Sequence, residues 1–131
     1  KFVTKKIVSF VNDTFLHGTN KKLYLGNLDI SRDWGLAEEY VVPMLLALQS
    51  EVPSDSVICT GVSLRLRDFV NYAFSLRGLN ADDYVEVNSK FKRMNEAMLV
   101  VGDPNEAYDK FNWRASTVGV DVIRHLMECH R

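Results

Sequence analysis

Apolar residues recur in this chain with two different periods, and neither is kept for long. Phe2, Val3, Ile7, Val8, Val11 and Phe15 are spaced as one face of a helix, and Gly18 is placed to end it as a C-cap. "KLYLG" then gives an apolar run short enough for a single strand, and Gly26-Asn27 follows as a turn. Leu36 to Gln49 returns to helical spacing, with Tyr40, Val41, Met44, Leu45 and Leu48 on one side. Pro43, which has no backbone donor, is expected to kink or interrupt that helix.

The alternation continues to the end. "SVICTG" is a short β-branched run and reads as a buried strand. Ser63 can cap a helix to Leu76, with Phe69, Val70, Ala73 and Phe74 inward and Gly78 as its stop. "YVEV" alternates as a strand would. In "GDPNEAYDKF" Asp103 reads as the N-cap, Pro104 as the first helical residue and Glu106 as the third residue of a capping box. A last helix is expected after Ser116 or Thr117, through Val120, Ile123 and Met127. No repeat or low-complexity tract divides the chain, so the reading is one compact α/β unit with more helix than strand.

With 131 residues the chain is long enough for a core and too short for two full domains. Its net charge of −1 argues against nucleic acid as a partner. "YVVPMLLAL", broken by Pro43, is far too short to span a bilayer, so no membrane partner is expected. Cys59 and Cys129 match no metal or redox spacing, and Cys59 is expected to be buried as a small hydrophobe in a reduced, cytoplasmic protein. The first residues, "KFVTKKIV", start inside a helical pattern without Met or an N-cap, from which the chain is expected to be a piece of something longer.

Most of the chemistry that short motifs advertise is missing. There is no GxGxxG or GxxGxxG, no Walker loop, no GxSxG and no HExxH. Tyr24, Tyr40, Tyr72, Tyr84 and Tyr108 all lack a lysine four residues on. His17, His125 and His130 are scattered near helix ends with no ligand partners at metal spacing, so no catalytic residue and no metal site is expected. Binding chemistry is present instead. Arg32 and Arg93 could clamp a diphosphate, since guanidinium forks match phosphate oxygens. Gly26 allows close backbone approach, and Asn27 offers both a donor and an acceptor. From spacing alone, a hairpin turn at Gly26-Asn27 beside a surface pair Arg32-Asp33 stays open as the alternative.

The segments "FVTKKI", "LYLGNLDISRDWGLAEEYV", "VICTG", "LRDFV" and "FKRMNEAMLVVGDPNEAYDKFNW" resemble, in order and spacing, the C-terminal part of the GDP-mannose 4,6-dehydratases. These belong to the extended short-chain dehydrogenase/reductases, and "YLGNLD…RDWG" carries most of the specificity. The resemblance implies a helix-rich α/β substrate-binding domain over residues 1–131, with the NADP-binding Rossmann part mostly absent. It implies a lyase that oxidises GDP-mannose at C4, eliminates water across C5 and C6 and returns the hydride to C6, on the route to GDP-fucose. NADP would serve the complete enzyme and would not be bound by this chain alone.

By the same resemblance Val3, Lys6, Leu25, Gly26 and Asn27 line the guanosine pocket, Arg32 and Arg93 hold the diphosphate, and Glu96 binds the ribose. The expected partners are GDP-mannose or a related GDP-sugar, and the missing Rossmann half or a homologous subunit. Met94, Met98 and Pro43 depart from the family's residues. Two further readings stand beside this one: a non-catalytic interaction module derived from such a domain, and the domain of a UDP-sugar epimerase.

Overall fold

The computed structural model describes residues 2–91 and 95–129. Lys92, Arg93 and Met94 lie outside the described residues, so the Arg93 assignment and the Met94 departure do too. The order of elements is α1 (Val3–His17), β1 (Leu23–Leu25), β2 (Ser31–Asp33), α2 (Ala37–Leu48), β3 (Ser63–Arg65), α3 (Leu66–Ser75), β4 (Val85–Val87), β5 (Leu99–Val100), α4 (Asn105–Phe111) and α5 (Val120–Cys129). These gather into two compact units, each built from discontinuous segments: residues 1–30, 65–98 and 123–131 in the first, and 31–64 and 99–122 in the second.

In the first unit β1 and β4 pair in parallel, Leu23 opposite Val85 and Leu25 opposite Val87. Parallel partners need a long crossover, and β2, α2, β3 and α3 lie between these two strands. Ile7, Val8 and Val11 on α1 and Phe69, Val70, Ala73 and Phe74 on α3 are buried in this unit's core. Phe74 stacks on Tyr84 with 5.8 Å between ring centroids. Gly18 ends α1 as expected, at φ 65°, its N–H bonded to the Thr14 carbonyl. Phe2 and Phe15, expected on the inner face, are exposed.

The second unit carries a three-stranded sheet in the order β3-β2-β5, with β2 and β5 parallel, Ser31 opposite Leu99 and Arg32 opposite Val100. Because β1 and β2 belong to different sheets, Gly26-Asn27 is not a hairpin turn. Three sequence expectations change here. "SVICTG" forms no regular strand, because the Asp33 carboxylate takes the Thr60 and Gly61 N–H groups that a ladder would use. The helix expected from Ser63 begins at Leu66, since Ser63–Arg65 extend the sheet beside β2. The last helix begins at Val120, because Ser116 and Thr117 are held by Glu39 instead of entering it.

Helix α2 runs without interruption through Pro43, which is the buried residue of that helix. The inward side is therefore Leu36, Tyr40 and Pro43, and the expected inner stripe of Val41, Met44, Leu45 and Leu48 faces outward. Tyr40 meets Trp113 edge-on at 5.9 Å. Helix α4 starts one residue later than expected, with Pro104 in place of Asp103 as its N-cap, while Asp103 accepts the Asn105 N–H at 3.0 Å. Glu106 does not close the capping box, and pairs with Lys110 one turn on at 2.8 Å.

Candidate functional site

Four of the sequence-predicted residues form one cluster in the first unit. Lys6, one turn beyond Val3 on α1, donates its ammonium to the Tyr24 carbonyl. The same ammonium lies 4.8 Å from the centre of the Phe91 ring, a cation–π arrangement. Tyr24 and Leu25 end β1, whose Leu25 carbonyl accepts the Asn88 N–H at 2.8 Å. Gly26 follows at once, and its place is fixed by space: a Cβ there would sit 2.5 Å from the Phe91 carbonyl oxygen. Phe91 thus touches both ends of the predicted pocket. Sequence reasoning missed it, although it stands in the "KFKR" segment singled out for Arg93.

Asn27 makes a local turn, its side-chain oxygen accepting the Asp29 N–H at 3.0 Å. Its amide nitrogen lies 3.6 Å from the Met98 sulfur, so the departure at Met98 stands directly on a predicted site residue. Glu96 is half-buried two residues earlier in the same segment. Val3 is half-buried and Leu25 fully buried. A separate open depression of about 390 Å³, lined by Thr19, Asn20, Lys21, Lys22, Asp83 and Tyr84, shares none of the predicted residues.

Arg32 sits on β2 in the second unit, half-buried, with its guanidinium donating to the Ser31 carbonyl at 2.8 Å. Its neighbours explain most of "RDWG". Asp33 accepts from Thr60, Gly61 and Gly102, which ties β2 to two other segments. Trp34 donates its indole N–H to the Leu64 carbonyl at 3.0 Å. Gly35 leaves the space that the Tyr40 hydroxyl fills.

The electrostatics of this unit follow from the same contacts. Burial pushes the Asp33 carboxyl up, and the bonds from Thr60, Gly61 and Gly102 outweigh it, leaving Asp33 below its ordinary value. Glu39 behaves alike: burial raises it, and the Thr117 and Ser116 hydroxyls and N–H groups bring it below the usual range. Burial, and next the Asp33 charge, pushes Tyr40 up to about 12 and also raises the Cys59 thiol. A tyrosine so placed stays neutral and serves packing. Among the described residues no group of three or more His, Cys, Asp or Glu is placed to hold a metal ion, and no helix is long and apolar enough to cross a membrane.

Known proteins place the chain in a family. The GDP-mannose 4,6 dehydratase family model matches residues 1–126. GDP-mannose 4,6 dehydratase 1 of Arabidopsis thaliana is 36% identical over 126 residues, a stretch that is 96% of this chain and 34% of the plant protein. The Homo sapiens GDP-mannose 4,6 dehydratase is 34% identical, over 96% of this chain and 38% of its own length. The chain thus spans about a third of the length of the curated relatives it matches.

Solved structures agree on the fold. RMD from Pseudomonas aeruginosa, complexed with NADPH, superposes with a TM-score of 0.80 at 16% identity, over 97% of this chain and 41% of that one. The dTDP-glucose 4,6-dehydratase of Bacillus anthracis, in complex with NAD, gives 0.75 at 16% identity, over 95% and 38%. Helix-rich with a few short strands, the described residues form a partial α/β arrangement of the extended short-chain dehydrogenase/reductase type. The sequence blocks, the fold and a family model matched over residues 1–126 agree: the chain belongs to the GDP-mannose 4,6 dehydratase family.

Proposed function

We propose that this chain is the GDP-sugar-binding portion of a GDP-mannose 4,6-dehydratase-like enzyme. The observation that carries it is the cluster of Lys6, Leu25, Gly26 and Asn27 closed by Phe91, since family resemblance assigns those four residues to one pocket. In this reading Val3 and Leu25 contribute apolar wall, Lys6, Gly26 and Asn27 meet the guanosine, and Glu96 accepts hydrogen bonds from the ribose. Arg32 and Arg93 hold the diphosphate through their guanidinium forks.

NADP would supply the hydride chemistry of the complete enzyme. This chain has neither the glycine fingerprint nor the Tyr-x-x-x-Lys that such chemistry requires, and it is not expected to turn over alone. Conversion of GDP-mannose by the isolated chain with NADP would overturn that expectation.

The test is a titration by calorimetry and NMR with GDP-mannose, GDP, UDP and NADPH in parallel. Guanine-selective binding is expected, weakened tenfold or more by Arg32→Ala, with no response to NADPH. Binding that ignores the base, or that Arg32→Ala leaves unchanged, overturns the assignment. One observation favours a second reading, a non-catalytic interaction module: much of α2 presents apolar side chains to solvent.

A further inference from the structure

Helix α5 carries a histidine and a cysteine one turn apart, and neither belongs to the proposed nucleotide site. Residues four apart on a helix are neighbours on one face, and His125 Nε2 lies 3.4 Å from Cys129 Sγ. Ile123 and Met127, two residues before each, are turned into the core instead. The backbone under the pair is held at its last turn, because the Met127 carbonyl accepts from the Arg77 guanidinium at 3.1 Å and from the Asn12 side-chain amide at 3.4 Å. His125 is half-buried against this frame, while Cys129 is exposed.

A thiol is a weak hydrogen-bond donor, so at an exposed helix end its bond to an imidazole contributes little. The same two atoms make a good chelating set. Zinc binds sulfur at about 2.3 Å and imidazole nitrogen at about 2.0–2.1 Å, and at a tetrahedral angle these bonds set the two atoms about 3.5 Å apart. The 3.4 Å between Cys129 and His125 is close to that edge, so the pair can close on a cation without rearranging the helix. Thiolate with imidazole favours Zn2+ and its neighbours over Mg2+ or Ca2+. Arg124, adjacent in sequence, donates its guanidinium to the Tyr72 hydroxyl at 2.8 Å, and Glu128, exposed beside Cys129, adds negative charge. Among the described residues no third His, Cys, Asp or Glu joins the pair.

We propose that His125 and Cys129 form a two-point chelating site for a divalent transition cation of the Zn2+ type, with water completing its coordination. Binding releases the Cys129 thiol proton to solvent and transfers no electron. The cation then joins successive turns at the end of α5. His125, for which the sequence offers no expected ligand partner, gains one from the helical repeat. Cys59 cannot take the place of Cys129, because it is buried. The site stands apart from the GDP-sugar reading and does not depend on it.

The experiment is a Co2+ titration of residues 1–131 under a phosphine reductant, followed by displacement with Zn2+. A thiolate-to-cobalt charge-transfer band is expected in the near ultraviolet, saturating at one ion per chain and removed by Zn2+. Zn2+ should also slow alkylation of Cys129. Cys129→Ser should abolish the band, and His125→Gln should weaken Co2+ binding at least tenfold, with the far-UV circular dichroism of both variants unchanged. His17→Gln should leave the titration as it is. Four results would overturn the proposal: no band at millimolar Co2+; a band that survives Cys129→Ser, which would place the thiolate at Cys59; an affinity indifferent to His125→Gln, which would leave the thiolate binding without the imidazole; or saturation at one ion per two chains, which would make a second copy part of the site.

Discussion

Asp33 and Thr60 are joined twice. One carboxylate oxygen of Asp33 accepts the Thr60 N–H at 3.0 Å and the Thr60 hydroxyl at 2.5 Å. The other oxygen accepts the Gly61 N–H at 2.9 Å and the Gly102 N–H at 3.3 Å. A single side chain on β2 thereby does what a strand ladder would have done for the "SVICTG" segment. It also fixes the backbone next to Arg32, so the tether bears on the proposed diphosphate contact as well as on the fold.

Removing that carboxylate should be costly. Thr60 is only 8% exposed, so its N–H and hydroxyl cannot simply turn to water. Asp33→Ala is expected to lose about 2–4 kcal/mol, the scale for stranding several buried donors that faced a charge. Asp33→Asn keeps the shape but sets an amide N–H against a donor, and should lose about 1–2 kcal/mol. Urea midpoints measure both, and a pair of variants as stable as the parent would show that these bonds contribute nothing net.

The same carboxylates set a pH dependence. Asp33 and Glu39 both sit below their ordinary values of 3.8 and 4.5 in the folded chain. A carboxyl depressed by folding adds stability that is complete above its unfolded value and is lost as pH falls through its folded one. Stability should therefore hold down to about pH 5 and then decline through the acid range. Glu39→Gln and Asp33→Asn should each flatten that decline while lowering the plateau. A decline as steep in the double variant as in the parent would assign the acid sensitivity to other groups.

Cysteine reactivity offers a check on packing. Cys59 is buried, its thiol raised first by burial and next by the Asp33 charge, whereas Cys129 is exposed. Only one thiol should react with a thiol reagent near neutral pH, and Cys129→Ser should abolish that phase. Gly102 seals the other: a Cβ there would stand 2.5 Å from both the Cys59 Cβ and its sulfur. Gly102→Ala is expected to lose about 1–3 kcal/mol and to expose Cys59 to the reagent. Equal rates for the two native thiols would contradict the buried placement.

Where the sequence could be read, local physics decided the outcome. The Gly18 stop and the short strands at "KLYLG" and "YVEV" depend on a few adjacent residues, and they appear where expected. The failures share a distant cause. Nothing near "SVICTG" announces that Asp33, 27 residues earlier, will take its N–H groups. Nothing near Ser116 announces Glu39, 77 residues away. In α2 both sides of the helix are apolar, so periodicity could not say which side turns inward, and Pro43 settled it by being buried. For the site, resemblance supplied the assignments, and spacing alone could not have separated Gly26-Asn27 from an ordinary hairpin.

The sharpest test of the proposed pocket is a comparison of two glycines. Gly26 does not need an unusual backbone angle; it needs emptiness, because an added Cβ would meet the Phe91 carbonyl oxygen at 2.5 Å and its carbon at 3.0 Å. Backbone cannot swing aside as a side chain can, so Gly26→Ala must displace the turn at Ser89–Phe91 and pull the aromatic ring away from Lys6. Gly18 is the opposite case, at φ 65° with open space around its Cβ position. Gly18→Ala should lose about 1 kcal/mol through backbone strain and leave the pocket untouched. Gly26→Ala should lose about 1–3 kcal/mol and weaken guanine-nucleotide binding tenfold or more. If calorimetry finds the nucleotide affinity lowered equally by both, the loss follows stability rather than position, and the cluster around Phe91 is not the guanosine pocket.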